Sequence, residues 1–364
     1  MTVVSDASFA GSTKASGDRS SRGRLGIVVL AIALVLVAFV CLTMGAAEAS
    51  LSNAISYWFG WPGSDVMTGP RDLLIVKDIR LPRIIIGVLV GASLAVSGTA
   101  LQGLFRNPLA DPGVIGVSAG AGLGAVTVIV LGRTMFSGYS LITGSYALPF
   151  SAFVGALSVT LLLYAISTRQ GRTSVTTMIL AGIALGALAF SLTGLLIFVA
   201  DEAQLRELTF WQLGSLSGSS WQKIVVAGPI MLVALILLPR YARGLNAIML
   251  GEAVAKHVGV PIQHLKYAII ILVAASTGAA VSISGGIAFV GIVVPHLLRM
   301  VIGPDNQYLL IASGLLGAIV LLLADAIART IVAPAEMPIG IVTAMLGAPV
   351  FLWMLLRQRG LLDL

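Results

Sequence analysis

The sequence predicts an all-α polytopic membrane protein with ten transmembrane helices. Three observations carry that reading. Over 364 residues the chain is 58% apolar and 10% charged, with mean hydropathy +1.02, where a soluble domain carries about 25% charged residues. Apolar runs recur at a length that crosses a ~30 Å hydrocarbon core at ~1.5 Å per residue. Small residues recur every fourth position inside some runs, which lets helix backbones approach where lipid gives no hydrophobic push.

Residues 1–24 are polar and rich in Ser, Gly and Thr, with Lys14, Arg19, Arg22 and Arg24. They are expected to be a disordered cytoplasmic tail ahead of a ten-span domain over 25–364. The first span, 25–45, is long for a signal-peptide core and is expected to stay uncleaved. Cys41 is alone within it, so no disulfide framework exists. Residues 46–79 are amphipathic, and Trp58 and Trp61 suit the headgroup region. The second span, 82–105, opens with Pro82, tolerated in a first helical turn, and carries the stripe Gly87, Gly91, Ala95, Thr99, Gly103. A proline-broken polar loop, Arg106 to Gly113, leads to span 114–132 with Gly116, Gly120 and Gly124. The remaining spans are 146–167, 175–199, 223–239, 266–284, 286–302, 308–328 and 338–356.

Orientation follows from charge. With both termini in the cytoplasm, 14 of the 22 Lys and Arg fall inside, as the positive-inside rule requires. The net charge of +7 is therefore a topology signal, with no nucleic-acid partner expected. No G-x-x-x-x-G-K-[ST] phosphate loop, HExxH, cysteine pair or nucleophile triad is present. His257, His264 and His296 all map to the cytoplasmic side, where they read as solvated or interfacial histidines. The chain is not expected to be an enzyme, to bind a metal, or to hold a cofactor. LVGASLAVSG at 89–98 echoes LVAASTGAAVSISG at 272–285 on oppositely directed spans, as an inverted repeat would.

RLPR at 80–83 followed by NPLADPG at 107–113 resembles the FecCD family of permeases, the membrane subunits of ATP-driven importers for iron chelates, haem and vitamin B12. GGIAFVGIVVPHLLRMVIGPDNQ, LLLADAIART and APAEMPIGIVTAMLGAPVFLWMLLR in the last third resemble it equally. The resemblance covers about residues 45–357. It implies a type II ABC importer permease fold with two inverted-related bundles, spans two to five and seven to ten. It implies a bacterial inner-membrane location and three protein partners: an ABC ATPase that holds ATP-Mg, a soluble binding protein, and a second copy of the chain.

The resemblance also assigns residues. LGEAVAKHVGV resembles the family's coupling segment, within a loop of about 245–265, which places Leu250, Gly251, Glu252, Ala255 and Gly259 against the ATPase. Glu252 and Lys256 lie i,i+4 with the acid first, a favourable helical pair. Arg80, Arg83 and Arg329 are expected at the outer surface, exposed, to meet glutamates of the binding protein, although Asp325 is also i,i+4 to Arg329. Asn107, Leu109 and Thr176 are implied at the cytoplasmic gate. Gln102, Ser118 and Thr177 are further candidates for a polar passage.

For cargo, RTSVTTMILAGIAL, ADEAQLRELTFW and LGSLSGSSW look most like the haemin permease branch, with a ferric siderophore as the alternative. A different class, an ion-coupled secondary transporter, would want a mid-membrane acid. Asp325 is the nearest, and it lies toward a span end.

Overall fold

The computed structural model describes residues 19–45, 49–60, 68–132, 146–169, 172–333 and 335–359. Helix α1 (Ser20–Thr43) is apolar all round and buries only Gly23 and Cys41, as a lipid-facing helix does. It starts at Ser20, so residues 20–24 of the expected tail are helical; residues 1–18 lie outside the described part. Helix α2 (Leu51–Phe59) is capped by the Ser50 side chain, which accepts from the Asn53 N–H.

Helix α3 (Gly69–Leu74) runs through a π turn (Ile75–Arg80) into α4 (Leu81–Phe105). Together they make one 37-residue rod, longer than the predicted span. The π turn opens the hydrogen-bond ladder just before Pro82, which cannot donate to it. Helix α4 buries 22 of its 25 residues, which makes it the central pillar. A 3-10 turn (Pro112–Ile115) precedes α5 (Val117–Leu131), which packs on α6 (Ala147–Ser167). Thr168–Arg169 (β1) and Arg172–Thr173 (β2) pair antiparallel and lead into α7 (Val175–Phe198).

Helix α8 (Glu202–Leu213) lies between two predicted spans and has no counterpart among them. Helix α9 (Trp221–Leu237) passes through a 3-10 turn into α10 (Ala242–Met249), and α11 (Glu252–His257) follows. Then come α12 (Ile262–Ser284), α13 (Val290–Ile302), α14 (Asn306–Thr330) and α15 (Ile339–Arg359).

Among the described residues apolar helices occur at the positions of the ten predicted spans, but their lengths do not establish ten crossings. Seven are long enough to cross a membrane by length and composition; Val117–Leu131, Val290–Ile302 and Ile339–Met354 are shorter. The small-residue stripe works as expected. Gly91 lies on Gly317 of α14 so closely that a Cβ on either would overlap the other's carbonyl. On the same stripe Thr99 Oγ1 donates to Ser313 Oγ at 2.8 Å. The packing does not divide between spans two to five and seven to ten. Helix α4 packs chiefly on α14, α12, α13 and α9, while α5 packs on α6 and α7.

Candidate functional site

The predicted site residues fall at two ends of the bundle. Arg80, Arg83 and Arg329 gather at one end, but not as an exposed patch. They are 3%, 7% and 4% exposed, which corrects the expectation of surface arginines. The reason is local. Arg80 Nη1 donates to the carbonyls of Leu42 at 2.8 Å and Thr43 at 3.0 Å, and Arg329 Nη2 donates to that of Cys41 at 3.0 Å. These carbonyls end α1, where no intrahelical N–H reaches them and the helix dipole is negative. Two arginines thus cap α1 and tie it to the bundle.

Arg83 is held by carboxylates. Its Nε and Nη2 donate to Asp325 Oδ1 at 3.0 and 2.9 Å, and Nη1 donates to Glu336 at 2.8 Å. Arg329 also approaches Asp325, at 3.5 Å, in the i,i+4 pair expected from sequence. Near this end a cavity of about 550 Å³ opens beside α8, its mixed lining including Ile129, Leu148, Phe210, Glu207, Lys223 and Ser284.

The other end carries the 106–115 loop. Arg106 closes α4 at φ 50°. Asn107 Oδ1 accepts from the Leu109 N–H at 2.9 Å, a local turn that fixes the loop. Asp111 caps the 3-10 turn by accepting from the Gly113 N–H at 2.8 Å. Burial pushes the Asp111 carboxyl above its ordinary range, and the Gly113 N–H opposes that. The 3-10 turn packs on α7, whose first turn holds Thr176. Leu109, Ser118, Thr176 and Thr177 are exposed, whereas Gln102 is buried between the Gly291 carbonyl at 3.2 Å and Arg299.

The expected coupling residues lie at the end of α10, which packs on α4 and α14, and along α11. Gly251 at φ +117° and Gly259 at φ +83° bracket α11, in backbone that favours glycine. Ala255 is fully buried, but Leu250, Val254 and Val258 are 74%, 44% and 66% exposed. Leu250 ends α10, Val254 lies within α11 and Val258 follows it, so these three exposed apolar side chains flank and cross α11 at the surface. Glu252 does not pair with Lys256. Its carboxylate meets Lys266 Nζ at 2.8 Å, because α12 brings that buried ammonium beside the start of α11. Lys266, Gln263 and Glu336 were not singled out from sequence. The available signal for Lys266 was a lysine at the edge of an apolar span.

A bundle of apolar helices with a proline-broken loop and a short helix pair at one end is a membrane permease in form. The chain belongs to the FecCD transport family, whose model matches residues 32–357. It is 42% identical over 336 residues to the hemin transport system permease protein HmuU of Yersinia pestis, covering 92% of this chain and 96% of that one. It is 43% identical to the cobalamin import system permease protein BtuC of Halobacterium salinarum, covering 79% and 74%. A solved structure described as an inward-facing ABC transporter of metal-chelate type superposes with TM-score 0.78 at 34% identity, covering 91% and 98%. The chain is accordingly a multi-pass inner-membrane permease subunit of an ABC importer, and the enzymatic step belongs to another subunit.

Proposed function

We propose that the chain crosses the membrane ten times and imports haem as a homodimer, with the Glu252 end in the cytoplasm. The observation that carries the cargo is the 42% identity to the HmuU hemin permease across nearly the whole of both chains. The three segments between 172 and 221 that resemble that branch support it. A two-lobed soluble protein delivers haem, and a separate ATPase binds ATP-Mg and drives the step through α11.

Homodimerisation rests on α7. This apolar helix buries only Met178, Gly182, Ala189 and Thr193 of its 24 residues, and its Thr176 end lies beside the 106–115 loop. Two such helices facing each other make a passage whose cytoplasmic gate comprises Asn107, Leu109 and Thr176. The inverted relation between the two groups of spans belongs to the same proposal.

Docking of the binding protein at the Arg83 end is also part of it. A partner carboxylate reaches Arg83 most readily by displacing Glu336, whose side chain is 35% exposed. Arg80 and Arg329 are reached only by releasing the carbonyls of α1.

The cargo test is uptake into vesicles holding the complete transporter, with haem, a ferric siderophore and cobalamin offered in turn on their binding proteins. Haem uptake alone supports the reading. Uptake of cobalamin or siderophore without haem overturns it.

A further inference from the structure

Lys266 lies near the start of α12 and is 3% exposed. A buried ammonium is costly unless its donors are taken. Here Nζ donates to the Glu252 carboxylate at 2.8 Å and to the Thr173 carbonyl at 3.0 Å. One turn earlier on the same helix, Gln263 Oε1 accepts from the Thr173 N–H at 3.0 Å. Helix α12 thus grips both the N–H and the carbonyl of Thr173. The next residue, Ser174, caps α7 by accepting from the Thr177 N–H at 3.2 Å.

These contacts form one unbroken route: α11, Glu252, Lys266, Thr173, the Ser174 cap, and the first turn of α7 with Thr176. Beside it lies an open cavity of about 700 Å³ bordered by Thr173, Glu252, Lys256 and Lys266. Glu252 therefore has room to exchange Lys266 for Lys256, its i,i+4 neighbour. In that exchange the link between α11 and α7 opens without unfolding either helix.

We infer that Lys266 is a positioning residue that joins the ATPase-facing helix α11 to the mouth of α7, so that displacement of α11 moves the gate. The inference deepens the coupling reading of α11 and rests on it.

The test uses the complete transporter in proteoliposomes, with haem as the probe and haem moved per ATP hydrolysed as the readout. A merely structural lysine would lower the amount of active protein and leave this ratio alone. Lys266→Met should assemble with the ATPase yet lower the ratio on the order of tenfold, the scale of a lost hydrogen bond to a charged group. Lys266→Arg should restore part of it. Glu252→Gln should lower it too, and the double variant should fall no further than the single ones, because the two groups act through one contact. A wild-type ratio in Lys266→Met, or losses that multiply in the double variant, overturns the inference. Should Lys266→Met fail to assemble, Gln263→Leu breaks the companion contact to Thr173, and a wild-type ratio there overturns it equally. Val254→Arg separates the two layers. If it leaves ATPase association intact, the coupling reading itself fails; if it abolishes association while Lys266→Met transports normally, only the link fails.

Discussion

Asp325 is the charge on which the Arg83 end depends. It is 3% exposed, and its carboxylate takes three contacts from Arg83 at 2.9–3.1 Å and one from Arg329 at 3.5 Å. Asp325→Ala leaves two buried guanidinium groups close together, with Glu336 as the one remaining carboxylate of the cluster. Removing one partner of a buried ion pair costs about 3–5 kcal/mol, because the other charge stays buried without compensation. That is a large share of a typical unfolding free energy of about 5–15 kcal/mol. Glu336→Gln is the internal control. Its carboxylate is a third exposed, so water screens the pair and the loss should stay within about 1 kcal/mol. Tryptophan fluorescence during denaturant titration of the detergent-held permease reads both. If Asp325→Ala unfolds within about 1 kcal/mol of wild type, the buried charge cluster is wrong.

Other expectations follow from the same geometry. Gly91→Leu drives a side chain into the Gly317 carbonyl of α14 and should cost at least about 1–3 kcal/mol in the same titration, whereas Gly186→Ala, which meets open space, should be neutral within the chain. Glu252→Arg sets two cations at the Lys266 contact; membrane insertion should be normal and stimulation of ATP hydrolysis weak, and wild-type transport would remove Glu252 from coupling. If the binding protein docks on Arg83, Glu336→Ala should strengthen its association and Arg83→Ala should weaken it, more so at low salt. Unchanged association in both would leave the arginines a structural role alone. Native mass of the complex after co-expression with one ATPase gene should report two copies of this chain, and a requirement for a second, different permease chain would sink the homodimer.

The apolar runs were legible because hydropathy and helix length are local properties, and predicted ends mostly agree with α1 to α15 within a few residues. The Gly91 stripe was legible for the same reason: four-residue spacing on one helix is a local pattern. Helix α8 was missed because its composition is too polar for a hydropathy reading. Its signal was the Asp201-x-x-Gln204 capping box, present in the structure with both reciprocal bonds. Charge partners were the least legible. Arg83 is 242 positions from Asp325 and 253 from Glu336, so no spacing rule could join them. The i,i+4 rule found Asp325–Arg329 but failed at Glu252, where α12 supplies a closer lysine than the helix's own. Exposure of the three arginines was misjudged because the end of α1 takes Arg80 and Arg329 while Asp325 and Glu336 take Arg83, tertiary facts with no mark in RLPR.

In the proposed cycle, ATP hydrolysis by a partner subunit drives import through this chain. Its most direct test is haem uptake into sealed proteoliposomes holding the permease, the ATPase and haem-loaded binding protein, with ionophores collapsing every ion gradient. Uptake should persist without gradients and stop when ATP is withheld or cannot be hydrolysed. Uptake that follows a proton or sodium gradient and ignores ATP would instead make the chain an ion-coupled transporter.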